Sequence, residues 1–213
     1  MAPLCVRIES GSMAAALQMQ LSIVTLGHVH EQDIAALTPH FTRIEQLVLD
    51  IAPRGALAKH RPEFNRAVDA STNDWLLVVR EPETVDETLA MEISAAITAS
   101  NAWGFRIRTQ PLYAGRPLRL RVDEGEIRLF HRRHYLRREE ETSIQGTVVR
   151  LHHPFHAVTF ESHAAHREYL ARTATPRAAA RRALIFLRDA IATRSTDANT
   201  LRYIWTEAGF DKP

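Results

Sequence analysis

The chain has 213 residues, of which 45% are hydrophobic, and this suits one globular domain with a sizeable core. Its formal net charge is only +2, so composition gives no reason to expect a nucleic-acid-binding protein. Its one cysteine, Cys5, excludes an internal disulfide and a cysteine-based zinc cluster. No apolar run approaches the ~20 residues of a membrane-spanning helix, and we expect a cytoplasmic protein.

The first 19 residues are predicted to be a flexible N-terminal extension, and residues 20–213 a single domain. Met13 and Met19 offer alternative translation starts within that extension. The apolar run from Met13 to Leu17 is too short and interrupted for the hydrophobic region of a signal peptide.

Three strand–helix units in chain order predict an α/β core with a parallel sheet. The apolar runs that indicate buried strands are 21–26, 46–51 and 75–79. The predicted helices cover residues 34–44 with a kink at Pro39, residues 62–70 after an initial proline, and the stretch behind the capping-box pattern Thr84–Glu87. Sites in such folds lie beyond the carboxyl ends of the strands, where Gly27, Asp50 and Arg80 are placed.

Beyond residue 100 the pattern changes to strict alternation of apolar residues with arginine. The alternating segments are 103–108, 118–122 and 127–129. They predict antiparallel or mixed strands with an arginine-rich face, before a mostly helical portion from Phe160 onward.

Residues 75–83 read Trp-Leu-Leu-Val-Val-Arg-Glu-Pro-Glu. This segment resembles the metal-binding strand end of family 2 glycosyltransferases, a nucleotide-sugar-using group in which it typically reads Trp-x-Leu-x-Leu-Asp-Ala-Asp-Glu. In that family the two aspartates hold a divalent cation against the donor diphosphate. Arg80 and Pro82 stand in those two places here, and only Glu83 remains. The resemblance therefore implies the family's fold without its metal cofactor.

Further segments resemble the family members that assemble bacterial lipopolysaccharide core and surface polysaccharide. They are Phe64–Ala70 with Asp74-Trp75, Tyr113–Arg116, Ile127–Arg133, Val149–Pro154, Tyr203-Ile204 and Ala208–Asp211. In order, they cover roughly residues 20–211. The resemblance implies a GT-A-like fold, in which a Rossmann-like nucleotide half merges with an acceptor half as a mixed sheet flanked by helices, here with a helical C-terminal portion.

The resemblance also implies a donor or nucleotide site. Its candidate residues are Asp50, Arg61, Asn65, Arg80 and Glu83. Asp50 alternatively caps a turn. Arg61 lies one helical turn before Phe64, which replaces a family arginine, and is alternatively solvated. Arg80 either binds phosphate oxygens in place of the metal or pairs with Glu81 or Glu83 in an unused site.

For catalysis, Glu140 or Glu141 is the candidate general base, although the acidic run 139–141 also suits a solvated loop. Arg116, Arg128 and Arg132 are the candidate acceptor or anion-binding residues, with a solvated sheet face as the alternative. His28 and His30 are more consistent with loop positions than with metal ligands. His152, His153 and His156 either match a histidine-bearing segment of the family or are packing and surface residues.

Near the C-terminus, an apolar stripe that includes Leu184 and Leu187 lies among several arginines. A basic amphipathic helix of this kind either docks on its own domain or contacts the inner face of an anionic membrane. Nucleic acid is not expected as a partner, because aromatic residues are sparse among the arginines.

Two functional hypotheses remain open. The first is an active, metal-independent transferase of nucleotide sugars in envelope polysaccharide assembly. The second is a non-catalytic homologue that binds a glycan, a nucleotide or a partner protein. The combined loss of both metal-binding aspartates and of the helix arginine favours the second.

Overall fold

A computed structural model describes residues 19–50, 60–118, 125–138, 142–173, 184 and 197–207. Its strands are β1 (Gln20–Leu26), β2 (Arg43–Leu49), β3 (Trp75–Arg80), β4 (Glu83–Thr84), β5 (Gly104–Ile107), β6 (Thr109–Tyr113), β7 (Arg116–Pro117), β8 (Glu126–His131), β9 (Tyr135–Leu136), β10 (Ser143–Ile144), β11 (Val148–Arg150) and β12 (Phe155–Phe160). Its α-helices are α1 (Glu31–Ile34), α2 (Arg61–Ala70), α3 (Glu87–Ala99), α4 (His163–Thr173) and α5 (Ala198–Glu207), and short 3₁₀ segments cover Ala35–His40 and Arg132–His134.

The main sheet has six strands in the order β11-β5-β8-β3-β1-β2. β2, β1 and β3 are parallel to one another, whereas β8 runs antiparallel to both of its neighbours, β3 and β5. β11 completes the sheet in parallel with β5. The protein is therefore a mixed α/β protein, as predicted, and the predicted adjacency of the first three strands is confirmed.

The strands that follow β1 lie on opposite sides of it, so the strand order reverses at β1. The chain first adds β2 on one side and then crosses back to add β3 on the other. The first connection packs Leu37 into a core with Leu89 of α3, and the second packs Phe64 of α2 into a separate core with Val78. Helices thus cover both faces of the sheet. Open α/β sheets bind ligands beyond the carboxyl ends of their strands where the strand order reverses, which here is at β1 and β3.

A second sheet has four strands in the order β4-β12-β6-β7, and β9 pairs only with β10. The C-terminal helices α4 and α5 contact each other beside this smaller sheet. There the His166 ring lies between Phe160 and Tyr203, with ring centroids 4.1 Å and 5.2 Å away.

Two of the predicted local structures are wrong. A helix was expected over 34–44. In the structure the α-helix ends at Ile34, a 3₁₀ segment continues to His40, and Ile44 belongs to β2. Pro39 lies inside the 3₁₀ segment, where its missing N–H prevents a regular α-helix. The cap of α3 is Asp86 rather than Thr84, because the Asp86 carboxylate accepts a 2.8 Å hydrogen bond from the Leu89 amide.

Several predictions concern residues outside the described ranges. These are most of the N-terminal extension (1–18), most of the alternating segment after Leu118, the acidic run 139–141 and nearly all of the basic helix between 174 and 196. Among the helices within the described ranges, none is both long and apolar enough to cross a membrane.

Candidate functional site

Hydrogen bonds join the chain segments that follow β1 and β3 at the carboxyl edge of the sheet. After β1 the chain turns at Gly27, whose φ of 83° suits glycine and whose amide donates to the Leu49 carbonyl at 3.0 Å. The Glu81 amide donates to the Leu26 carbonyl at 3.0 Å, and the Glu81 carboxylate accepts from the His28 amide at 2.8 Å. The loops that follow β1 and β3 are thus bound to each other.

Arg80 is the last residue of β3, and its guanidinium pairs with Glu126 at the start of β8. Arg80 Nη1 donates to Glu126 Oε1 at 3.0 Å, and Nη2 donates to Oε2, so the contact is bidentate. Burial by itself would raise the pKa of Glu126, but the hydrogen bond and charge of Arg80, with the charge of Arg128, lower it below the usual value. The Arg80 side chain is 27% exposed and that of Glu126 54%, so solvent reaches this pair.

A second ion pair lies beneath the first and is buried. The Arg128 guanidinium donates to Glu83 Oε2 and, through Nε, to the Val78 carbonyl at 3.1 Å. Glu83 also accepts from the Thr109 hydroxyl at 2.7 Å and from the Arg80 amide at 2.9 Å. The side chains of Arg128 and Glu83 are only 3% and 6% exposed, so this carboxylate is committed to internal partners.

A divalent cation does not fit this strand end. Metal-ligating carboxylates need free oxygen lone pairs, and both Glu83 oxygens already accept hydrogen bonds from the protein. The Arg80 guanidinium adds positive charge, and Pro82 has no side-chain ligand. The charges of Arg80 and Arg128 are matched by those of Glu83 and Glu126. These four side chains therefore neutralise one another at the end of β3.

The other predicted donor-site residues are grouped around β2 and α2. Asp50 is exposed and directly follows β2. Leu26 of β1 lies opposite both Leu49 and Arg80, so Asp50 and Arg80 are at the same edge of the sheet. Neighbouring strands are about 4.8 Å apart, so the backbones of Leu49 and Arg80 are separated by about 10 Å. Asn65 of α2 accepts a 2.7 Å hydrogen bond from the Tyr135 hydroxyl, which ties its side chain to β9.

Arg61 begins α2 and is 5% exposed. Its Nη1 lies 3.5 Å from the Thr142 hydroxyl, and its guanidinium carbon is 5.5 Å from the Phe64 ring centroid. Its Nε has no hydrogen-bond partner among the described residues. The structure therefore corrects the interpretation of Arg61 as a solvated residue at a helix start. Burial raises the pKa of the neighbouring Tyr135 hydroxyl, and the hydrogen bond and charge of Arg61 oppose that rise.

The structure does not bring the predicted acceptor arginines together. Arg116 is exposed on β7, whereas Arg128 is buried under Arg80. Arg132 lies at the other end of β8, where its guanidinium donates to the Ser71 carbonyl and is 3.8 Å from Asp74. Since β8 rises about 3.3 Å per residue, Arg132 is roughly 20 Å along the strand from Glu126.

The histidines that the sequence singled out lie against carboxylates or against each other. The His28 and His30 rings meet edge to face with centroids 5.4 Å apart. His152 Nδ1 is 2.9 Å from Glu92, and His156 Nε2 is 3.1 Å from Asp86. Within the described ranges, no three His, Cys, Asp or Glu side chains are grouped so that they could hold a metal ion.

The site in the structure differs from the predicted site in two respects. Glu140 and Glu141, the candidate bases, lie outside the described residues. Glu126, which was not predicted at all, neutralises Arg80 in place of the predicted partners Glu81 and Glu83. Its only sequence signal is its place at the start of an alternating segment, and its pairing with Arg80 depends on the β3–β8 register, in which Leu77 lies opposite Leu129.

Comparison with known proteins adds no relative: the chain matches no protein-family model and no curated protein.

Proposed function

We propose that this chain is a family 2 glycosyltransferase-like protein with a GT-A-like fold, which takes part in bacterial envelope polysaccharide assembly without catalysing metal-dependent transfer. It would act as a binding protein for a glycan, a nucleotide or a partner protein. Its proposed place of action is the cytoplasm or the inner face of the membrane. The ordered motif resemblance over residues 20–211 supports the family assignment.

The sheet topology supports the nucleotide-fold part of the proposal. The strand order β2-β1-β3 with helices on both faces is the arrangement in which open α/β sheets bind ligands beyond the strand carboxyl ends. Asp50 and Arg80, two of the candidate donor residues, both lie at that edge. The topology by itself is shared by many folds with unrelated functions.

The observation that carries the non-catalytic version is the ion-pair network at the end of β3. In metal-dependent transfer a cation held by carboxylates neutralises the leaving diphosphate. Here Glu83 is buried against Arg128, and Arg80 is paired with Glu126 in two hydrogen bonds. Both groups that would meet the diphosphate are therefore engaged within the protein.

A metal-independent transferase is the second candidate, and the exposure of the upper ion pair favours it. Because the Arg80 and Glu126 side chains are 27% and 54% exposed, a diphosphate has access to displace Glu126 from Arg80. Arg80 would then stabilise the leaving group by bidentate hydrogen bonds. A glutamate of the 139–141 run would take the acceptor proton in this version.

A thermal-shift screen with nucleotide sugars, in the presence of either Mn²⁺ or EDTA, tests both versions, because a ligand that binds the native state raises its melting temperature. We expect any shift to be the same with Mn²⁺ and with EDTA. In the transferase version Arg80→Ala weakens nucleotide binding by roughly 1.5–3 kcal/mol, the scale of a charge-assisted hydrogen bond. In the non-catalytic version it leaves ligand binding unchanged. Mn²⁺-dependent sugar transfer by the purified protein would refute both.

A further inference from the structure

The six-stranded sheet ends at β2, and within the described part of the chain no strand pairs with the outer side of β2. β2 is seven residues long, whereas β11 at the opposite edge has three residues and the edge strands of the smaller sheet, β4 and β7, have two each. Proteins usually protect an edge strand by making it short or by placing a proline, a lysine or a bulge in it. β2 contains neither proline nor lysine, and its register with β1 is regular throughout. It is therefore a long edge strand without these protections.

The hydrogen bonds of the neighbouring strand β1 show which backbone groups of β2 point outward. The Leu26 carbonyl accepts from the Glu81 amide on the β3 side, and the next residue, Gly27, donates to the Leu49 carbonyl on the β2 side. Successive residues of a strand direct their N–H and C=O groups to opposite sides, so Leu49 and every second residue before it bond to β1. The residues whose N–H and C=O groups point away from the sheet are Ile44, Gln46 and Val48.

The outer side of β2 also carries apolar surface. The Val48 side chain is 61% exposed, and those of Leu47 and Leu49 are half-buried. These three residues line an open groove with Ala67 and Ala70 of α2, and most of the surface of this groove is apolar. Unpaired backbone groups beside apolar side chains are the two features that a further β-strand would cover.

The sequence of β2 is complementary to itself in one antiparallel register. With two copies related by a two-fold axis at Gln46, Val48 of each copy lies opposite Ile44 of the other, and the two Gln46 residues face each other. All three outward-pointing residues then pair with one another, as hydrogen-bonded pairs of an antiparallel ladder. An axis at Glu45 or Leu47 would pair only two of the three in this way.

The charges on the α2 side of β2 fit the same register. Arg43 is exposed, and it would lie opposite Leu49 of the second copy. Leu49 lines the groove together with Glu63 of α2, whose side chain is 42% exposed. Arg43 of each copy therefore comes beside Glu63 of the other, which gives two symmetric pairs of opposite charge. Within one chain Glu63 meets only the exposed Arg66, at 3.4 Å, among the described residues.

Glu45 does not oppose this arrangement. It would face Leu47 of the second copy rather than another charge, and its carboxylate is held by its own chain. Glu45 Oε2 accepts hydrogen bonds from the Ser22 hydroxyl at 2.6 Å and from the Thr72 amide at 2.8 Å. No two like charges lie directly opposite each other in the register centred on Gln46, and such pairs would be destabilising.

We propose that β2 is the interface of a homodimer, in which two copies of this chain join through antiparallel β2 strands in the register centred on Gln46. An interface with the same patch on both subunits is the commonest kind in symmetric dimers. The six-stranded sheets of the two copies would form one continuous sheet, and their β1–β3 carboxyl edges would face opposite ends of it. This interface is independent of the proposed function, because neither Arg80 nor Glu126 takes part in it.

Sedimentation velocity of the full chain tests the interface. A single strand pair makes a small interface, so we expect a monomer at about 1 µM and a dimer at about 200 µM. Val48→Lys should remain monomeric over this range, because an edge lysine prevents strand pairing. Met91→Lys is the matched control, since Met91 is 49% exposed on α3, and this variant should dimerise like the wild type.

Two outcomes of the sedimentation experiment would overturn the inference. A wild-type chain that stays monomeric at the highest concentration does not pair with itself, and the β2 edge would then suit a strand of a different protein. Val149→Lys changes an exposed residue of β11 at the opposite edge. If this variant loses the dimer while Val48→Lys keeps it, the interface lies at β11.

Disulfide trapping tests the register, in a Cys5→Ser background that removes the one native cysteine. In Gln46→Cys the two introduced thiols face each other with Cα atoms about 5.5 Å apart, which a disulfide can bridge. In Val48→Cys they lie four residues apart along the strands, or about 13 Å, which is too far. Mild oxidation followed by non-reducing electrophoresis should therefore show a covalent dimer for Gln46→Cys alone, and any other pattern would contradict this register.

Charge reversal provides a second readout that does not depend on Val48→Lys folding. Arg43→Glu places like charges at both symmetric contacts with Glu63, and we expect it to weaken the dimer at least about tenfold. Adding Glu63→Arg restores opposite charges and should recover the wild-type dimer. A double variant that dimerises no better than Arg43→Glu would show that these two residues do not meet. Circular dichroism of each variant should match the wild-type spectrum.

Discussion

The Arg80 guanidinium and the Glu126 carboxylate face each other across the β3–β8 pair, with Arg80 Nη1 and Glu126 Oε1 3.0 Å apart. The two residues are 46 positions apart in the sequence. In the proposed family assignment, Arg80 is the cation that replaces a metal-binding aspartate, and this contact occupies it. Whether a diphosphate can displace Glu126 decides between the two versions of the proposed function.

Removal of the Glu126 charge should release Arg80 for anions. In Glu126→Gln we expect the affinity for pyrophosphate to rise about tenfold, which corresponds to about 1.4 kcal/mol, because the guanidinium loses its charged partner. Calorimetric titration at low and high salt measures this gain, which should be smaller at high salt because exposed charges are screened.

Two variants control the Glu126→Gln experiment. Adding Arg80→Met to Glu126→Gln should abolish the gain in affinity. Glu161→Gln, at an exposed position elsewhere on the surface, should bind like the wild-type chain. A gain that survives Arg80→Met would show that another cation captures the ligand.

The buried Arg128–Glu83 pair should be far more important for stability than the exposed pair above it. Glu83→Gln removes the buried counter-charge of the Arg128 guanidinium and leaves only the half-exposed Glu126 carboxylate, 3.6 Å away. Breaking one side of a buried pair costs about 3–5 kcal/mol. Glu126→Gln should lower the free energy of unfolding by about 1 kcal/mol or less, as for solvent-exposed pairs. Urea denaturation at pH 7 measures both values.

The double variant Glu83→Gln with Arg128→Met tests the cause of that loss. It removes the uncompensated charge, so it should be more stable than Glu83→Gln alone. Equal stability of the single and double variants would mean that the lost contacts to Thr109 and the Arg80 amide, rather than the buried charge, explain the effect.

Glu92 should contribute to a loss of stability in acid. Burial by itself would raise the pKa of Glu92, but hydrogen bonds from the His152 and His153 amides and the His152 ring outweigh it and lower the pKa. Because the folded pKa lies below the unfolded value of about 4.3, this stabilisation is present above that pH and is lost as pH falls through the folded pKa.

The free energy of unfolding measured from pH 6 to pH 3 checks this. Glu92→Gln should be less stable than the wild type at pH 6, and the difference should narrow toward pH 3. Glu161→Gln should follow the wild-type curve. A constant difference between Glu92→Gln and the wild type across this range would contradict a role for Glu92 ionisation.

Gly146 should be intolerant of a side chain. Its φ is 115°, and an added Cβ would lie 2.7 Å from Cδ1 of Trp103, whose ring is stacked on His134 at 4.0 Å. We expect Gly146→Ala to cost about 1–3 kcal/mol from backbone strain, with a further cost from displacement of the indole. Thermal unfolding followed by tryptophan fluorescence measures this, and the native emission should also change.

Gly115→Ala separates the backbone cost from the steric one. Gly115 has a φ of 73° but no atom within 4 Å of an added Cβ, so this variant should lose only about 1–2 kcal/mol. Equal losses for the two variants would show that contact with Trp103 adds nothing.

The first half of the fold was predictable because its signals are local. β1 and β3 are buried parallel strands, which appear in a sequence as continuous apolar runs. Pro62 marks the start of α2, where its missing N–H costs nothing. The prediction of a helix over 34–44 was wrong because helical spacing arose by chance where a 3₁₀ segment meets a strand, and Ile44 belongs to that strand.

The candidate site depended on contacts between distant segments. The sequence by itself determined which side chains stand at the end of β3, among them Arg80 and Pro82. That these two replace metal-binding residues of a glycosyltransferase family stays a prediction. The tertiary structure alone decided their electrostatics, because the β3–β8 register brings Glu126 to Arg80, and Arg128 to Glu83. It also decided that Arg61 is buried, with no counter-charge among the residues that the structure describes, since burial and pairing are properties of the packed chain and not of any local pattern.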